Sequence, residues 1–349
     1  MSHYLVTGHT GFKGSWLVML LKAHGHEVSG LALEPPADSL FLKANIASDV
    51  VHDLRIDIRD RNSTIEAFKK VAPDYVIHLA AQALVRDGYR KPFETYETNV
   101  NGTMHVLEAS DQTGSIKAQL IVTTDKVYRN DGRSSPYVES DPLGGKDPYS
   151  ASKAMADIMA QEWLGAGRSK PGAIARAGNV IGAGDTARDR LIPDIIRSVQ
   201  SGNPLHVRYP QAVRPWQHVL DCLTGYIDLV NCIGPNLTGA TFNFGPALDG
   251  ASTVIETVKK AAHFLPDLTF EIDLNNENMA EDPILTLDSS LSRGFLGWHD
   301  FFAENALELS LEAALPGIPI RAVMQRQILG VISNMKKADS RAERGDTEN

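Results

Sequence analysis

The stretch Val6-Thr7-Gly8-His9-Thr10-Gly11-Phe12-Lys13-Gly14 carries three glycines at three-residue spacing, close to the start of the 349-residue chain. Apolar residues predict a buried β-strand over 4–7, and the sequence SWLVMLLKAH predicts a helix over 15–24. Glycines at a strand-to-helix turn permit unusual backbone angles and close approach of a ligand, while the helix N-terminus offers free amides. This is how a pyrophosphate is held. The spacing GxxGxxG departs from the general GxGxxG, so a glycine-rich turn without chemical use stays open at this point.

Strand-like and helix-like segments alternate after this turn, which favours a nucleotide-binding fold. Further strands are predicted over 27–33, 51–57, 75–79, 119–123 and 173–176, and further helices over 63–71, 93–112 and 149–164. Short β-branched strands separated by helices are typical of a parallel sheet covered on both faces. We therefore predict an α/β protein with a Rossmann-type, doubly wound parallel sheet, whose ligands bind beyond the carboxyl ends of the strands.

The chain divides into three predicted parts. Residues 1–178 are predicted to form the dinucleotide-binding Rossmann domain. The rhythm then loosens because five prolines interrupt the chain, at positions 193, 204, 210, 215 and 235. We expect a smaller mixed α/β substrate-binding portion over 179–315, with some helices packing back on the first domain. The polar, aperiodic residues 336–349 predict a disordered tail.

Bulk composition excludes several classes of protein. The formal net charge is −9, which argues against binding to nucleic acid or to an anionic membrane surface. Cys222 and Cys232 have neither metal-ligand spacing nor a disulfide framework, so we expect no metal and a reducing cytoplasmic location. The chain starts directly in a strand, and no apolar run is long enough to span a membrane.

Tyr149 and Lys153 lie four residues apart on a predicted helix, and this spacing places both on one face. A cation beside a phenol lowers the pKa of the phenol, so such a tyrosine can act as a base near neutral pH. The YxxxK pattern is short, and alone it would more often be a surface pair. Its position after a glycine-rich turn and five strands favours a catalytic role.

The sequence Thr123-Thr124-Asp125-Lys126 follows the end of a predicted strand. It could be an ordinary polar strand end, or a set of proton donors and acceptors beside a cofactor. In the second interpretation Thr124 bonds a substrate hydroxyl, and Asp125 is a general acid if burial raises its pKa. Lys126 is then a general base if desolvated, or a fixed charge beside a developing enolate.

Several blocks resemble the extended short-chain dehydrogenase/reductase superfamily, and within it the CDP-glucose 4,6-dehydratase family. They are GHTGFKG (8–14), HLAAQALVR (78–86), TTDKVY (123–128), DPYSASK (147–153), ARAGNVIGAGD (175–185), DRLIPDIIR (189–197) and RPWQHVLD (214–221). The glycine and YxxxK motifs are specific only to the superfamily, whereas the last two blocks are more specific to sugar-nucleotide dehydratases. The resemblance extends from about residue 4 to about residue 300.

This resemblance implies an NAD-dependent lyase that converts CDP-glucose to its 4-keto-6-deoxy derivative. Tyr149, helped by Lys153, would take the C4-hydroxyl proton while hydride passes to NAD. Water would then leave across C5 and C6 with the help of Thr124, Asp125 and Lys126, and the hydride would return to C6. Related dehydratases for thymidine-linked sugars carry a glutamate in place of Lys126. Whether Lys126 removes the C5 proton or stabilises the enolate stays open.

The family's cofactor contacts carry over residue by residue. They fall on Gly8, Gly11, Phe12, Lys13, Gly14, Asp57, Ile58, Leu79, Ala80, Ala81, Thr98 or Asn99, Thr123, Tyr149 and Lys153. A ribose-binding acid is expected about twenty residues after the turn. Strand phase places Ala32 there, so Glu34, the nearest acid, is the candidate replacement. We see no arginine nearby to favour a 2′-phosphate, which favours NAD over NADP.

The substrate contacts carry over in the same way, to Asn179, Arg190, Arg208, Arg214 and His218. An arginine suits a diphosphate because its fork bonds two oxygens, although any single arginine here could be a solvated side chain. Relatives pair the helices over 93–112 and 149–164 into a four-helix bundle, so we expect a homodimer, or a tetramer built from it.

Three alternatives remain to be weighed. The first is a dehydratase for another nucleotide sugar on the same fold. The second is a sugar-nucleotide 4-epimerase, which needs Tyr149 and Lys153 but no eliminating acid, so Asp125 favours a dehydratase. The third is an NAD-binding regulatory protein without catalysis, and the retained Tyr–Lys pair argues against it.

Overall fold

The centre of the structure is a parallel β-sheet. The computed structural model describes residues 1–167, 169–247, 252–272 and 285–344. The strands of the chain are β1 (His3–Thr7), β2 (Glu27–Ala32), β3 (Asp53–Arg55), β4 (Tyr75–His78), β5 (Ala118–Val122), β6 (Gly172–Ala177), β7 (Val180–Ile181), β8 (Leu205–Val207), β9 (Val213–Arg214), β10 (Gln217–His218), β11 (Thr241–Phe244), β12 (Ser252–Thr253) and β13 (Phe270–Ile272). Seven of them form the central sheet in the order β11-β6-β5-β4-β1-β2-β3. All its neighbouring strands are parallel, which confirms the predicted fold class.

Helices connect the strands and cover the sheet. They are α1 (Phe12–Ala23), α2 (Leu40–Lys43), α3 (Arg61–Val71), α4 (Val85–Arg90), α5 (Pro92–Tyr96), α6 (Gly102–Asp111), α7 (Pro148–Gly165), α8 (Leu191–Ser201), α9 (Val219–Cys232), α10 (Val254–Phe264), α11 (Ser290–Leu296), α12 (Ala306–Leu311) and α13 (Ile320–Arg344). One turn of π-helix, Glu97–Asn101, joins α5 to α6.

Both faces of the sheet are buried because successive side chains of each strand point in opposite directions. In β1, Tyr4 and Val6 belong to one apolar cluster with α1, α9 and α13. Leu5, between them, belongs to a second cluster with α3 and α6. The helix α7 packs on the same side as α6. This two-sided burial explains why the strands are nearly continuous runs of apolar residues.

The smaller portion of the chain forms a third apolar cluster, from α8, α10, α12 and neighbouring strands. Among its described residues are the two-stranded pairs β7 with β10, β8 with β13 and β9 with β12. The sequence analysis missed β11, which lies at 241–244 and yet adds the outermost strand to the central sheet beside β6. The helix α9 also packs on β5 and β6 of the central sheet.

The ends of elements differ from expectation in several places. The strand predicted over 51–57 is only Asp53–Arg55. Residues 336–344, predicted to be disordered, continue α13, because they contain good helix formers such as alanine, lysine, glutamate and arginine. Residues 345–349 of the same prediction lie outside the described residues. In the part of the chain that the structure describes, no helix is long and apolar enough to cross a membrane.

Candidate active site

Most of the residues singled out in the sequence lie at one edge of the sheet. The carboxyl ends of β1, β4, β5 and β6 are adjacent in the strand order. The segments that leave these ends begin at Gly8, Leu79, Thr123 and Gly178. Ligands of such open α/β sheets bind at this edge.

The glycine turn after β1 is shaped by two backbone contacts. Gly8 has a φ of +76°, and a Cβ on it would lie 2.8 Å from the Ala80 backbone nitrogen. A Cβ on Gly14 would lie 2.2 Å from the Gly8 carbonyl oxygen. Gly11 caps α1 without any side-chain hydrogen bond, so the first amides of α1 remain available. The cradle therefore fits a pyrophosphate. Phe12 and Lys13 belong to the first turn of α1. The Lys13 Nζ lies 4.0 Å from the Cys222 sulfur.

A charged network lies at the end of β2, where an acid that binds the adenosine ribose was expected. His9 Nε2 is 2.7 Å from Asp53 Oδ1, and Arg55 Nη2 donates to Asp53 Oδ2 at 2.7 Å. Glu34, the predicted replacement, is exposed and lies 3.4 Å from Arg55 Nε. The expectation that no arginine lies nearby is wrong. Arg55 is distant in sequence, but the pairing of β2 with β3 sets it beside Ala32.

The predicted adenine contacts follow β3. Asp57 accepts from Arg59 Nε at 2.9 Å and from Arg59 Nη2 at 2.6 Å, and the hydrogen bonds from Arg59 hold the Asp57 pKa below its usual value. Ile58 is buried, and its carbonyl oxygen is 2.9 Å from His105 Nδ1. The loop after β4 is fixed from behind, because the amides of Leu79 and Ala80 bond the backbone oxygen and the hydroxyl of the β1 residue Thr7. Ala81 continues this loop.

Two predicted cofactor residues use their side chains elsewhere. Asn99 is fully buried, and its amide bonds both the nitrogen and the carbonyl oxygen of Gln82 at 2.9 and 3.0 Å. It also donates to Ser152 Oγ at 2.9 Å. The Thr123 hydroxyl donates to Asp157 Oδ2 at 2.7 Å. Both side chains therefore position neighbouring loops and helices.

Tyr149 and Lys153 share one face of α7, in its first two turns. Burial raises the pKa of Tyr149 to about 12, while a hydrogen bond with Thr124 and the charge of Arg190 act in the opposite direction. Lys153 is buried, donates to the Val122 carbonyl oxygen at 2.9 Å, and has a pKa that burial lowers to about 8. Lys153 is therefore mostly in its charged ammonium form at neutral pH.

Sequence reasoning missed the network that supports this pair. Asp157, one further turn along α7, carries a bidentate ion pair with Arg176 at 2.9 and 2.6 Å, and both are buried. The negative charge of Asp157 opposes the loss of the Lys153 proton. A carboxylate four residues after the lysine, on the same face of the predicted helix, was the available signal.

The segment after β5 places Thr124 and Asp125 beside the phenol of Tyr149. The Thr124 hydroxyl donates to Asp125 Oδ1 at 2.8 Å. Asp125 is 4% exposed, and burial raises the pKa of its carboxyl, while Lys126 and Thr124 oppose that shift. Gly178 is required here, since a Cβ on it would lie 2.0 Å from Asp125 Oδ2. Lys126 itself is partly exposed.

Two of the predicted substrate residues, Arg190 and Arg214, lie close to the catalytic groups, whereas the structure shows other surroundings for Arg208 and Asn179. Arg190 lies near enough to Tyr149, and Arg214 near enough to Asp125, for each charge to favour the ionised partner. Arg190 also bonds Asp185 Oδ2 at 3.0 Å. Arg208 Nη1 donates to Asp189 Oδ1 at 3.3 Å. Asn179 follows β6 and has a φ of +44°.

His218 does not belong with these residues. It is fully buried, and its ring packs on Trp16 at 6.1 Å and on Phe302 at 5.0 Å between centroids. Burial lowers its pKa to about 3, so the imidazole is neutral. The structure thus places His218 in the core on the α1 side of the sheet, where it cannot bind the substrate. The alternation of buried and exposed side chains along a strand could not predict the burial of His218, because β10 is only two residues long.

The site has the residues that a dinucleotide cofactor requires, and no residues grouped as metal ligands. Within the described ranges, no group of three or more histidine, cysteine, aspartate or glutamate side chains could hold a metal ion. The glycine cradle, the free helix N-terminus and the Tyr–Lys pair define a nucleotide-dependent oxidoreductase-type centre on a Rossmann fold.

Comparison with known families agrees with this class. The model of the NAD-dependent epimerase/dehydratase family matches residues 4–245. The chain therefore belongs to the NAD-dependent epimerase/dehydratase family, and the resemblance drawn from its motifs is confirmed.

Within that family, the chain is 42% identical over 307 residues to the CDP-glucose 4,6-dehydratase of Salmonella typhimurium, covering 84% of this chain and 85% of the relative. Among solved structures, a UDP-glucose 4-epimerase of Stenotrophomonas maltophila aligns with a TM-score of 0.77 at 22% identity, over 90% of this chain and 98% of the other. A dTDP-glucose 4,6-dehydratase of Streptomyces venezuelae, solved with NAD, aligns with a TM-score of 0.73 at 26% identity, over 88% and 95%.

Proposed function

We propose that this chain is an NAD-dependent lyase that converts CDP-glucose to CDP-4-dehydro-6-deoxyglucose. The observation that carries the proposal is the presence of two separate acid/base systems at one edge of the sheet. Tyr149 with Lys153 lies on α7, and Asp125 with Lys126 follows β5. An epimerase needs only the first system, whereas an elimination also needs the second.

The first system handles the C4 hydroxyl. In its phenolate form, Tyr149 takes the proton of the C4 hydroxyl and becomes a phenol. The Lys153 ammonium stabilises the phenolate form. NAD held by the glycine cradle would supply the hydride acceptor for the C4 oxidation and the hydride donor for C6, and its oxidised nicotinamide ring would add a positive charge. Since the pKa of Tyr149 is about 12 in the protein alone, the phenolate depends on positive charge close to it.

The second system handles the elimination of water. Burial raises the pKa of Asp125, so its carboxyl can hold the proton that the departing C6 hydroxyl needs. The Thr124 hydroxyl orients this carboxyl at 2.8 Å. Lys126 stands next to it, as either the base for the C5 proton or a charge that stabilises the enolate. Lys126→Glu separates these roles, because a carboxylate can replace a base but not a positive charge.

Substrate recognition rests on the arginines around the cleft. Arg190 and Arg214 lie close to Tyr149 and Asp125, so they would hold the diphosphate and place the sugar over the acid/base groups. Asn179 is proposed to bind the substrate together with these arginines. The 42% identity to a CDP-glucose 4,6-dehydratase supports cytosine as the base. A cytoplasmic location is part of the same proposal.

A homodimer is also part of this proposal. The outward faces of α5 and α7 carry Phe93, Met155 and Ile158, which are 85, 50 and 55% exposed. Exposed apolar side chains clustered on two adjacent helices are typical of a surface that binds a second copy.

Incubation of the purified protein with CDP-, UDP-, dTDP- and GDP-linked hexoses, followed by mass spectrometry, tests the reaction and the base together. Loss of the mass of one water from CDP-glucose alone is the expected result. Loss from another nucleotide sugar would keep the mechanism and correct the base. An unchanged mass with inverted C4 would mean an epimerase, and no change with any substrate would favour a regulatory protein.

A second experiment tests the separation of roles. Asp125→Asn should leave NAD reduction intact in a single turnover and slow the loss of water. Tyr149→Phe should block NAD reduction itself. If Asp125→Asn abolished NAD reduction, the two systems would not be separate.

A further inference from the structure

One aspartate connects two arginines across the cleft. Arg86 Nη1 donates to Asp189 Oδ1 at 2.7 Å, and Arg208 Nη1 donates to the same oxygen at 3.3 Å. Arg86 lies in α4, on the Rossmann side of the cleft, and Arg208 follows β8 in the smaller portion. The two halves of the molecule thus share a single carboxylate oxygen.

This bridge is connected to the catalytic residues through two neighbouring elements. The helix α4 packs on the start of α7, because a Cβ on Gly88 would lie 3.2 Å from the Tyr149 backbone nitrogen. Asp189 directly precedes Arg190, whose charge acts on the Tyr149 phenol. The two bridged arginines are therefore linked to Tyr149 through α4 on one side and through Arg190 on the other.

The bridge has the properties of a contact that can be exchanged. The side chains of Arg86, Asp189 and Arg208 keep 39, 38 and 26% of their surface exposed. Exposed ion pairs contribute little net free energy, so an incoming anion can replace them. Asp189 has a φ of +62°, in the left-handed region that most residues avoid. Two guanidinium groups share this one carboxylate, and the next carboxylate, Asp194, is 3.9 Å from Arg208.

We propose that Arg86 is a further substrate-binding residue, which with Arg208 clamps the diphosphate of the nucleotide sugar, and that Asp189 holds this clamp when no substrate is bound. The proposal rests on the proposed function. A diphosphate offers more oxygens than one carboxylate and can satisfy both guanidinium forks. The Asp189 carboxylate is then an internal competitor, which the diphosphate displaces.

The test is calorimetric titration of the full chain with CDP, and with cytidine as the probe that lacks phosphate. Arg86→Gln should weaken CDP binding about tenfold, as expected for loss of one charge-assisted contact, and leave cytidine binding unchanged. Asp189→Asn should tighten CDP binding several-fold, because the competitor has lost its charge. In turnover assays Arg86→Gln should raise KM and leave kcat unchanged.

Arg90→Gln is the matched control, because Arg90 lies on the same helix, is 72% exposed and pairs with Asp87 of the same helix. Unchanged CDP affinity in Arg86→Gln would overturn the clamp. So would Asp189→Asn binding CDP as weakly as Arg86→Gln, since Asp189 would then position the arginines instead of competing. If the wild type binds UDP, dTDP or GDP in place of CDP, the same variants are titrated with that nucleotide. Binding of none of them would overturn the proposed function, and the clamp with it.

Discussion

At the scale of single residues, burial separates the protonation states of groups that lie side by side. Burial raises the pKa of Tyr149 and of Asp125, because it disfavours their negatively charged forms. Burial lowers the pKa of Lys153, because it disfavours the positively charged ammonium. The site thus holds a neutral phenol, a carboxyl with raised pKa and an ammonium close to its titration point. These are the states from which an oxidation followed by an elimination can start.

Gly178 provides the space that Asp125 occupies. In Gly178→Ala the new Cβ would lie 2.0 Å from Asp125 Oδ2, so the carboxylate must move. Because a displacement of about 1 Å in a catalytic group can cost about 100-fold in rate, we expect turnover to fall by that order while single-turnover NAD reduction is retained. Gly114→Ala, which meets nothing within 4 Å, should behave as the wild type. A fully active Gly178→Ala would show that Asp125 needs no fixed position.

Asp221 predicts a pH dependence of stability. Burial raises its pKa to about 8, above the unfolded value of 3.8, so the folded state binds the proton more tightly. Its contribution to stability is therefore present at low pH and is lost as pH rises toward 8. We expect Asp221→Asn to be more stable than the wild type at pH 9, and this advantage to shrink on acidification to pH 5. Denaturant unfolding at several pH values measures this, and a constant difference would contradict the assigned pKa.

Elements of the first domain could be predicted from local patterns, whereas those of the smaller portion could not. The strands near 4–7, 119–123 and 173–176 and the helix with Tyr149 were placed within about two residues, because buried parallel strands and long helices have strong periodic signals. The strand β11 was missed because its partner β6 lies more than sixty residues earlier, and no local pattern encodes that pairing. Likewise, only the register of β2 with β3 brings Arg55 to Glu34.

The start of α7 combines a cap with an electrostatic effect on the base. The Asp147 side chain accepts from the Ser150 nitrogen at 3.0 Å, and its charge raises the pKa of Tyr149. Asp147→Ala removes both effects, and it should reduce the free energy of unfolding by about 1 kcal/mol. Asp147→Ser keeps a capping oxygen without the charge, so it should preserve stability and shift the pH profile of NAD reduction to lower pH. If the profile stayed unchanged in both variants, the charge of Asp147 would not act on Tyr149.

At the scale of the whole molecule, the site is assembled from segments that are distant in the sequence. The cradle at 8–14, the Tyr–Lys pair of α7 and the arginines beyond residue 185 meet because parallel strands bring their carboxyl ends to one edge. The motifs could be predicted from the sequence since each lies at a strand end. The inward orientation of His218 and the support of Asp157 by Arg176 depend on packing between elements, which a single sequence does not display.

The exposed apolar faces of α5 and α7 lead to a prediction about assembly. If these faces bind a second copy, Met155 and Ile158 become buried in the interface, and a carboxylate placed there would lose its solvation without gaining a partner. We expect the wild type to sediment at twice the chain mass of 38.0 kDa or a higher even multiple, and Met155→Glu/Ile158→Glu to sediment as the monomer. Leu329→Glu is the control, because Leu329 is 66% exposed on α13, away from these helices, and should leave the dimer intact. A wild-type chain that sediments as a monomer, or a double variant that still dimerises, would assign the apolar surface of α5 and α7 to something other than self-association.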